Sequence, residues 1–319
     1  MSTLQKMKNT SELSALFYRL FVVILICLVL STLSEAFLTT NNLLNVLRQT
    51  SLLFLMASGL TLVILTAGID LSVGANVGMS ACLAGAVLIS TGSTTLGFLT
   101  GLCSGALIGL ANGLLVTFLR LPSFIATYGM LWILHGITYY FMAGATINGF
   151  SKSFRMIGSG YWLGIPVPIY IMLFFLIIGS LFTKYSIFGQ QVYAIGANPI
   201  SARISGVPVT KRLLIVYLIS GITAGLASLV FLARLNSAEG DIGEALTLPA
   251  IAAVLIGGTS LFGGVGTLFG TLIGALILTL VLNGMNILSI DGNLQALVTG
   301  VIIIASVLLD LIFRRKNAI

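Results

Sequence analysis

An all-α, polytopic integral membrane bundle is the fold class this sequence predicts, and three features predict it. Hydrophobic residues make up 58% of the 319, charged residues only 7%, and the mean hydropathy is +1.13. That leaves too little polar surface to cover a water-soluble globule of this size. Apolar runs recur along the whole chain, and several reach the ~20 residues a helix needs to cross about 30 Å of hydrocarbon. They do not alternate in polarity as the shorter strands of a membrane barrel do, and a helix satisfies its own backbone inside hydrocarbon.

The runs place ten spans at 15–34, 51–69, 73–91, 95–119, 122–143, 165–183, 213–233, 248–262, 268–289 and 295–313. No A-x-A-like cleavage site follows the first run, so it reads as a retained helix and 1–319 as a single transmembrane domain. The segment NNLLNVLRQT (41–50) either lies at the surface or begins a long second helix. The net charge of +7 comes from single basic residues scattered between apolar runs, which fits membrane topology and not a nucleic-acid patch. With both termini inside, the cytoplasmic side collects Lys6, Lys8, Arg120, Lys184, Arg203, Lys211, Arg212, Arg314, Arg315 and Lys316. Arg48, Lys152, Arg155 and Arg234 then fall outside, together with Glu35, Glu239, Asp241, Glu244 and Asp291.

Two loops are long. The outer one, 144–166, carries Tyr161 and Trp162, ring types that favour the headgroup level; the other, 184–212, is the longest cytoplasmic segment. Glycines at four-residue steps, Gly101, Gly105, Gly109 and Gly113, and again Gly266, Gly270 and Gly274, give helix faces that approach a neighbour closely. That neighbour is a helix of the same bundle or a second subunit. Cys27, Cys82 and Cys103 lie in apolar runs without metal-type spacing and read as packing residues.

Few residues carry chemistry. There is no Walker lysine loop, no H-E-x-x-H and no metal-type cysteine pair, which excludes autonomous ATP hydrolysis and leaves no cofactor or metal bound by this chain. His135, in LWILHGITYY, falls in the fifth span and is either a hydrogen-bonded packing residue or a lining group of a pathway. Asp70, in TAGIDLSVGA (66–75), raises the sharper question of why a carboxylate stands between two apolar runs. About 19 residues from Ser51 cross the hydrocarbon by Ile69, so Asp70 is expected at the cytoplasmic end of span two, as an acceptor at the start of the next helix. A span two that is tilted, or that begins nearer Asn41, would move it toward a pathway instead, as a polar lining group. Ion-coupled transporters use acids of this kind near the midplane, so a secondary symporter is a rival reading, and a passive channel or membrane scaffold a third.

The cytoplasmic stretch YAIGANPISARISGVPVTKR (193–212) predicts a short helix: Asn198 as N-cap, Pro199 in the first turn, Gly206 and Pro208 as the stop. Around Ser201, Ala202 and Arg203 it presents Ile200 and Ile204 at i, i+4 spacing, which on a water-facing loop must be covered. Either the helix folds back onto its own bundle or it docks into a groove on a soluble partner.

Three stretches taken together, GLTLVILTAGIDLSVGA (59–75), YAIGANPISARISGV (193–207) and AIAAVLIGGTSLFGGVGTLFGTLIGALI (250–277), resemble the permease subunits of ribose-type ABC importers. That family includes xylose, galactose and autoinducer-2 systems and is distantly related to branched-chain amino acid permeases. The resemblance runs from about Phe37 to Leu309. It implies a dimer of two copies or of paralogues in the bacterial inner membrane, a periplasmic sugar-binding protein that delivers substrate, and a cytoplasmic ATPase with tandem nucleotide-binding domains that holds ATP and Mg. Asn198, Pro199, Ile200, Ala202, Arg203, Ile204 and Gly206 match the family's coupling helix. Asp70, Leu71, Ser72 and Gly74 match its I-D-L-S-V-G signature in a helix break of the transport core, to which Gly257, Gly258, Thr259, Ser260, Gly263 and Gly264 also belong. The chain departs from the ribose-like pattern at Leu248-Pro249, where leucine-aspartate is usual, and at His135-Gly136, where many members have arginine-glycine.

Overall fold

The computed structural model describes the backbone of residues 3–317 and the side chains of residues 17–308 and Leu311. The side chains of Lys6, Lys8, Arg314, Arg315 and Lys316, part of the expected basic face, lie outside the described residues. In chain order the helices are α1 Thr3–Leu33, α2 Thr40–Leu65, α3 Val73–Thr91, α4 Thr94–Thr117, α5 Ser123–Met142, α6 Lys152–Ser159 and α7 Val167–Tyr185. They continue with α8 Ile187–Ala197, α9 Pro199–Ile204, α10 Val209–Leu235, α11 Thr247–Ile256, α12 Leu268–Ile287 and α13 Gly292–Asn317. Among the described residues, six helices (α2, α3, α4, α7, α10 and α12) are long and apolar enough to cross a membrane. Helix α5 has 20 residues but includes His135 and three tyrosines, which lower its hydropathy.

Each expected span contains a helix, and the differences have physical causes. The segment 41–50 forms the first turns of α2, where the Thr39 side chain accepts from the Asn42 N–H, so the second helix is the long one. Helix α10 begins four residues before the expected 213, directly after Pro208. The expected span 248–262 is corrected: α11 has only ten residues, about 15 Å at ~1.5 Å each, half a bilayer. Apolar residues continue to Phe262, but the helix stops at Gly257 because Gly258, Gly263 and Gly264 adopt left-handed φ of +81°, +80° and +75°, which glycine does without steric cost. At the opposite end of the bundle two short antiparallel ladders close the loops. Ile147–Asn148 pairs with Ser237–Ala238, and Tyr161–Trp162 with Ile165–Pro166. There the Arg48 guanidinium donates to the Tyr161 hydroxyl at 2.5 Å while Tyr161 and Trp162 stay half exposed.

The centre of the bundle is α2, whose residues from Thr50 to Leu65 are all buried against α10, α12, α11 and α7. Between helices in lipid the hydrophobic effect adds little, so dispersion contact at close approach holds them. The glycine ladder of α4 supplies it within one chain. A Cβ on Gly221 of α10 would stand 2.2 Å from the Gly105 carbonyl oxygen and 2.7 Å from Gly109 Cα, so these backbones touch. The second ladder does the same between α12 and α11, with Gly270 against Gly257 and Gly274 against Ala253. Of the two readings of these faces, packing inside one bundle is the observed one.

Candidate functional site

After Leu65 the chain does not leave the bundle. Residues 66–72 are non-helical and turn back into it, and three neighbouring helices satisfy their polar groups. Asp70, 3% exposed, accepts through Oδ1 from the Ser72 N–H (3.0 Å) and hydroxyl (2.7 Å), and through Oδ2 from the Ser220 hydroxyl of α10 (3.2 Å). The Ser72 hydroxyl also accepts from Asn112 Nδ2 of α4 at 2.7 Å. From α5, Ser123 Oγ accepts the Ile69 N–H and Thr127 Oγ1 accepts the Leu71 N–H while donating to the Ile69 carbonyl. In hydrocarbon each unsatisfied backbone group costs several kcal/mol, so irregular backbone persists only where protein groups replace the helical partners.

This geometry corrects the expected depth of Asp70. Ser220 packs against Gly59 of α2, six residues before the end of that helix, so the carboxylate stands roughly 9 Å inside the bundle from the α2 terminus. The sequence-based count followed a straight span, and the backbone reverses. Nor does Asp70 bind the free amides of α3's first turn: it holds the N–H of Ser72, the N-cap residue, whose own side chain makes no cap bond to the helix.

The second break adjoins the first. Behind α11, the Ser260 N–H reaches the Val265 carbonyl (2.9 Å) to close a tight turn that contains Gly263 and Gly264, and Ser260 at its start and Thr259 just before it are buried. The Gly264 N–H donates to the Leu65 carbonyl at 2.9 Å, and Gly263 lies against the Ala67 N. Gly74 meets the opposite end of α11, where a Cβ would fall 2.0 Å from Thr247 Oγ1. Into the junction of the two breaks fits Gly196 of α8. A Cβ there would stand 1.8 Å from the Leu65 oxygen and 2.4 Å from the Gly264 nitrogen, which leaves room for hydrogen alone.

Two residues further on, Asn198 Oδ1 accepts the N–H groups of Ile200 and Ser201, each at 3.0 Å, and so caps α9. Pro199 occupies the first turn, and Gly206 at φ +83° ends the motif. Ala202 is buried inward, while Ile200 and Ile204 are 71% and 83% exposed. The helix therefore does not fold its apolar pair onto its own bundle. Arg203 lines a cavity with Arg120, Val209 and Leu213 beside it.

His135 lies apart from the breaks. Its Nδ1 is 2.5 Å from Glu244 Oε1, in a 3-10 turn, Glu244–Leu246, that leads into α11. In the segment of Glu239, Asp241 and Glu244, expected on the outer side, Gly240 packs on Thr138, and Glu244 reaches His135 one turn earlier along α5. Sequence reasoning did not find Glu244, Ser220, Asn112 or Gly196 as site residues. Only the Ser123/Thr127 pair, at i, i+4 on α5, carried a local signal.

The profile of the family described as branched-chain amino acid transport system / permease component matches residues 42–307. The chain belongs to this family. Among the permease's relatives, the ribose import permease protein RbsC of Bacillus subtilis (strain 168) is 42% identical over 305 residues, 95% of this chain and 92% of that one. The ribose import permease protein RbsC of Escherichia coli (strain K12) is 40% identical over 295 residues, 91% and 92% of the two chains. The D-allose transport system permease protein AlsC of the same strain is 39% identical over 292 residues, 91% and 90%. No solved structure matches the permease significantly. Both helix breaks and α9 fall inside the matched residues, and the six long apolar helices make the permease a multi-pass membrane protein.

Proposed function

We propose that this permease is the membrane-spanning subunit of an ATP-binding-cassette importer that carries a small sugar across the bacterial inner membrane. Relatives named for ribose and D-allose at about 40% identity over nine-tenths of both chains support the sugar class. The chain acts as a transport subunit, not an enzyme. Its cytoplasmic end is the one bearing Arg120, Lys184, Arg203, Lys211 and Arg212, with both termini on that side, ten membrane-embedded segments, and 184–212 as the coupling segment. A tandem ATPase, which binds ATP and Mg, docks there; a periplasmic sugar-binding protein meets the other end, and a second permease copy or a paralogue completes the path.

One observation carries this reading: α9 is a short helix capped at both ends that offers Ile200 and Ile204 to the exterior while Gly196, two residues before its cap Asn198, is wedged between both helix breaks. A partner that grips the two isoleucines and moves them displaces Gly196, and with it the contact between Leu65 and Gly264. Closure of an ATPase is thereby transmitted mechanically to the irregular segments of the transport core.

The test is uptake of labelled pentoses and hexoses into cells with the permease, its binding protein and an ATPase that is either intact or hydrolysis-dead. Uptake disappears with the dead ATPase and the panel names the sugar; persistent uptake would overturn the reading in favour of an ion-coupled symporter or a channel. A milder variant probes α9 itself. Asn198→Ala removes two acceptor bonds worth ~1 kcal/mol of helix stability, and is expected to lower the docked fraction of ATPase about fivefold. Asn198→Asp, which keeps the acceptor, restores it in the same copurification assay.

A further inference from the structure

Helix α5 carries Tyr128, Trp132, His135 and Tyr139 at three- and four-residue steps, so their rings stand on one face, one above the other. Successive ring centroids lie 6.4, 5.7 and 4.5 Å apart, the first two pairs edge-on. The rest of the fold leaves this stripe open: Tyr128 is 46%, Trp132 55% and Tyr139 52% exposed. Within the stripe, at the level of His135, Glu244 enters from the irregular segment ahead of α11 and bonds the imidazole.

The stripe's occupant follows from this combination. His135 stands twelve residues from the start of α5, roughly 18 Å along it, where a carboxylate facing lipid is costly and ionisable groups face water-filled cavities. Hydrocarbon suits the rings but not Glu244. A flat protein surface suits the rings too, but leaves the free oxygen of the carboxylate to be desolvated without a donor. A pyranose or furanose satisfies both: its C–H face lies on aromatic rings, and its hydroxyl edge donates to a carboxylate and bonds an imidazole. We propose that the ring stripe of α5 and the His135–Glu244 pair form the carbohydrate-facing wall of the translocation path, with Trp132 as its stacking surface and Glu244 as its specificity-determining residue. This rests on the sugar-import reading above. The wall bridges the core, because α5 also holds the first break through Ser123 and Thr127, twelve and eight residues before His135.

The experiment uses the full importer, with ATPase and binding protein, in proteoliposomes, and a pair of labelled sugars that differ at one hydroxyl. Trp132→Leu is expected to slow uptake of both about tenfold, and Trp132→Phe to keep it within about twofold of wild type. Glu244→Gln is expected to change the ratio of the two rates at least about threefold, since one hydroxyl loses a charged acceptor. Copurification of ATPase with each variant verifies that the assembly is intact. Wild-type rates and an unchanged ratio in all three variants would overturn the wall and assign the stripe to lipid or to a second copy. A wild-type importer that moves no sugar overturns the sugar reading itself, an outcome read before any variant is compared.

Discussion

Ile204→Asp is expected to abolish ATP-driven uptake while the permease stays folded in the membrane. The side chain is 83% exposed in the isolated chain, so its replacement removes no internal contact and leaves the Asn198 cap untouched. In the assembly the same side chain is to be enclosed by the ATPase. A carboxylate forced into an apolar cleft must be desolvated without a partner, and truncating a central apolar anchor alone costs ~2 kcal/mol or more, about thirtyfold in affinity. The measurement is copurification of the ATPase with the tagged variant in detergent, alongside uptake in cells. ATPase that still copurifies in wild-type amount would remove α9 from the docking surface. Ile200→Asp, one turn earlier and 71% exposed, should behave the same way, because the two side chains form one face.

How much of this was legible in the sequence depends on whether the signal was local. The cap, proline and glycine around α9 act within a few residues, and the helix stands where they put it. Helix α3 begins at Val73 and ends at Thr91, the expected limits, because a left-handed glycine, Gly92, ends it. Hydropathy failed at α11, since it records composition and not conformation: Leu261 and Phe262 continue the apolar run after the backbone has left the helix. The site was less legible than the fold for the same reason. Glu244 lies 109 residues from His135, and Ser220 lies 150 from Asp70. No periodicity links positions so distant, and Glu244 in particular looks like an ordinary loop acid until the chain is seen to dip alongside α5. The glycine ladders were readable as close-contact faces, whereas the identity of the facing helix, α10 for one and α11 for the other, came only with the tertiary structure.

The largest effect inside the bundle is expected at Asp70, where two substitutions of similar size should part company. Asp70→Ala strips the acceptor from the Ser72 N–H, the Ser72 hydroxyl and the Ser220 hydroxyl, all of them buried. Leaving a buried donor unpaired costs ~1–3 kcal/mol each. The sum is a large fraction of the stability that holds residues 66–72 in an irregular path through the membrane. Asp70→Asn keeps a carbonyl oxygen for Ser72, and its amide can donate to Ser220 Oγ, which is free to accept. Alanine should therefore lower the melting temperature in detergent by several degrees and eliminate uptake, while asparagine retains most of both. Equal loss in the two variants would mean that the negative charge itself is used, as an ion-coupling group would use it. Equal retention would mean that the break is held by Ser123, Thr127 and the Leu65–Gly264 contact without the carboxylate. The contrast separates a structural acceptor from a functional charge at the buried acid of the first break, and the observed geometry favours the acceptor: among the described residues the three hydrogen bonds to the carboxylate come from neutral donors, the Ser72 N–H and the Ser72 and Ser220 hydroxyls.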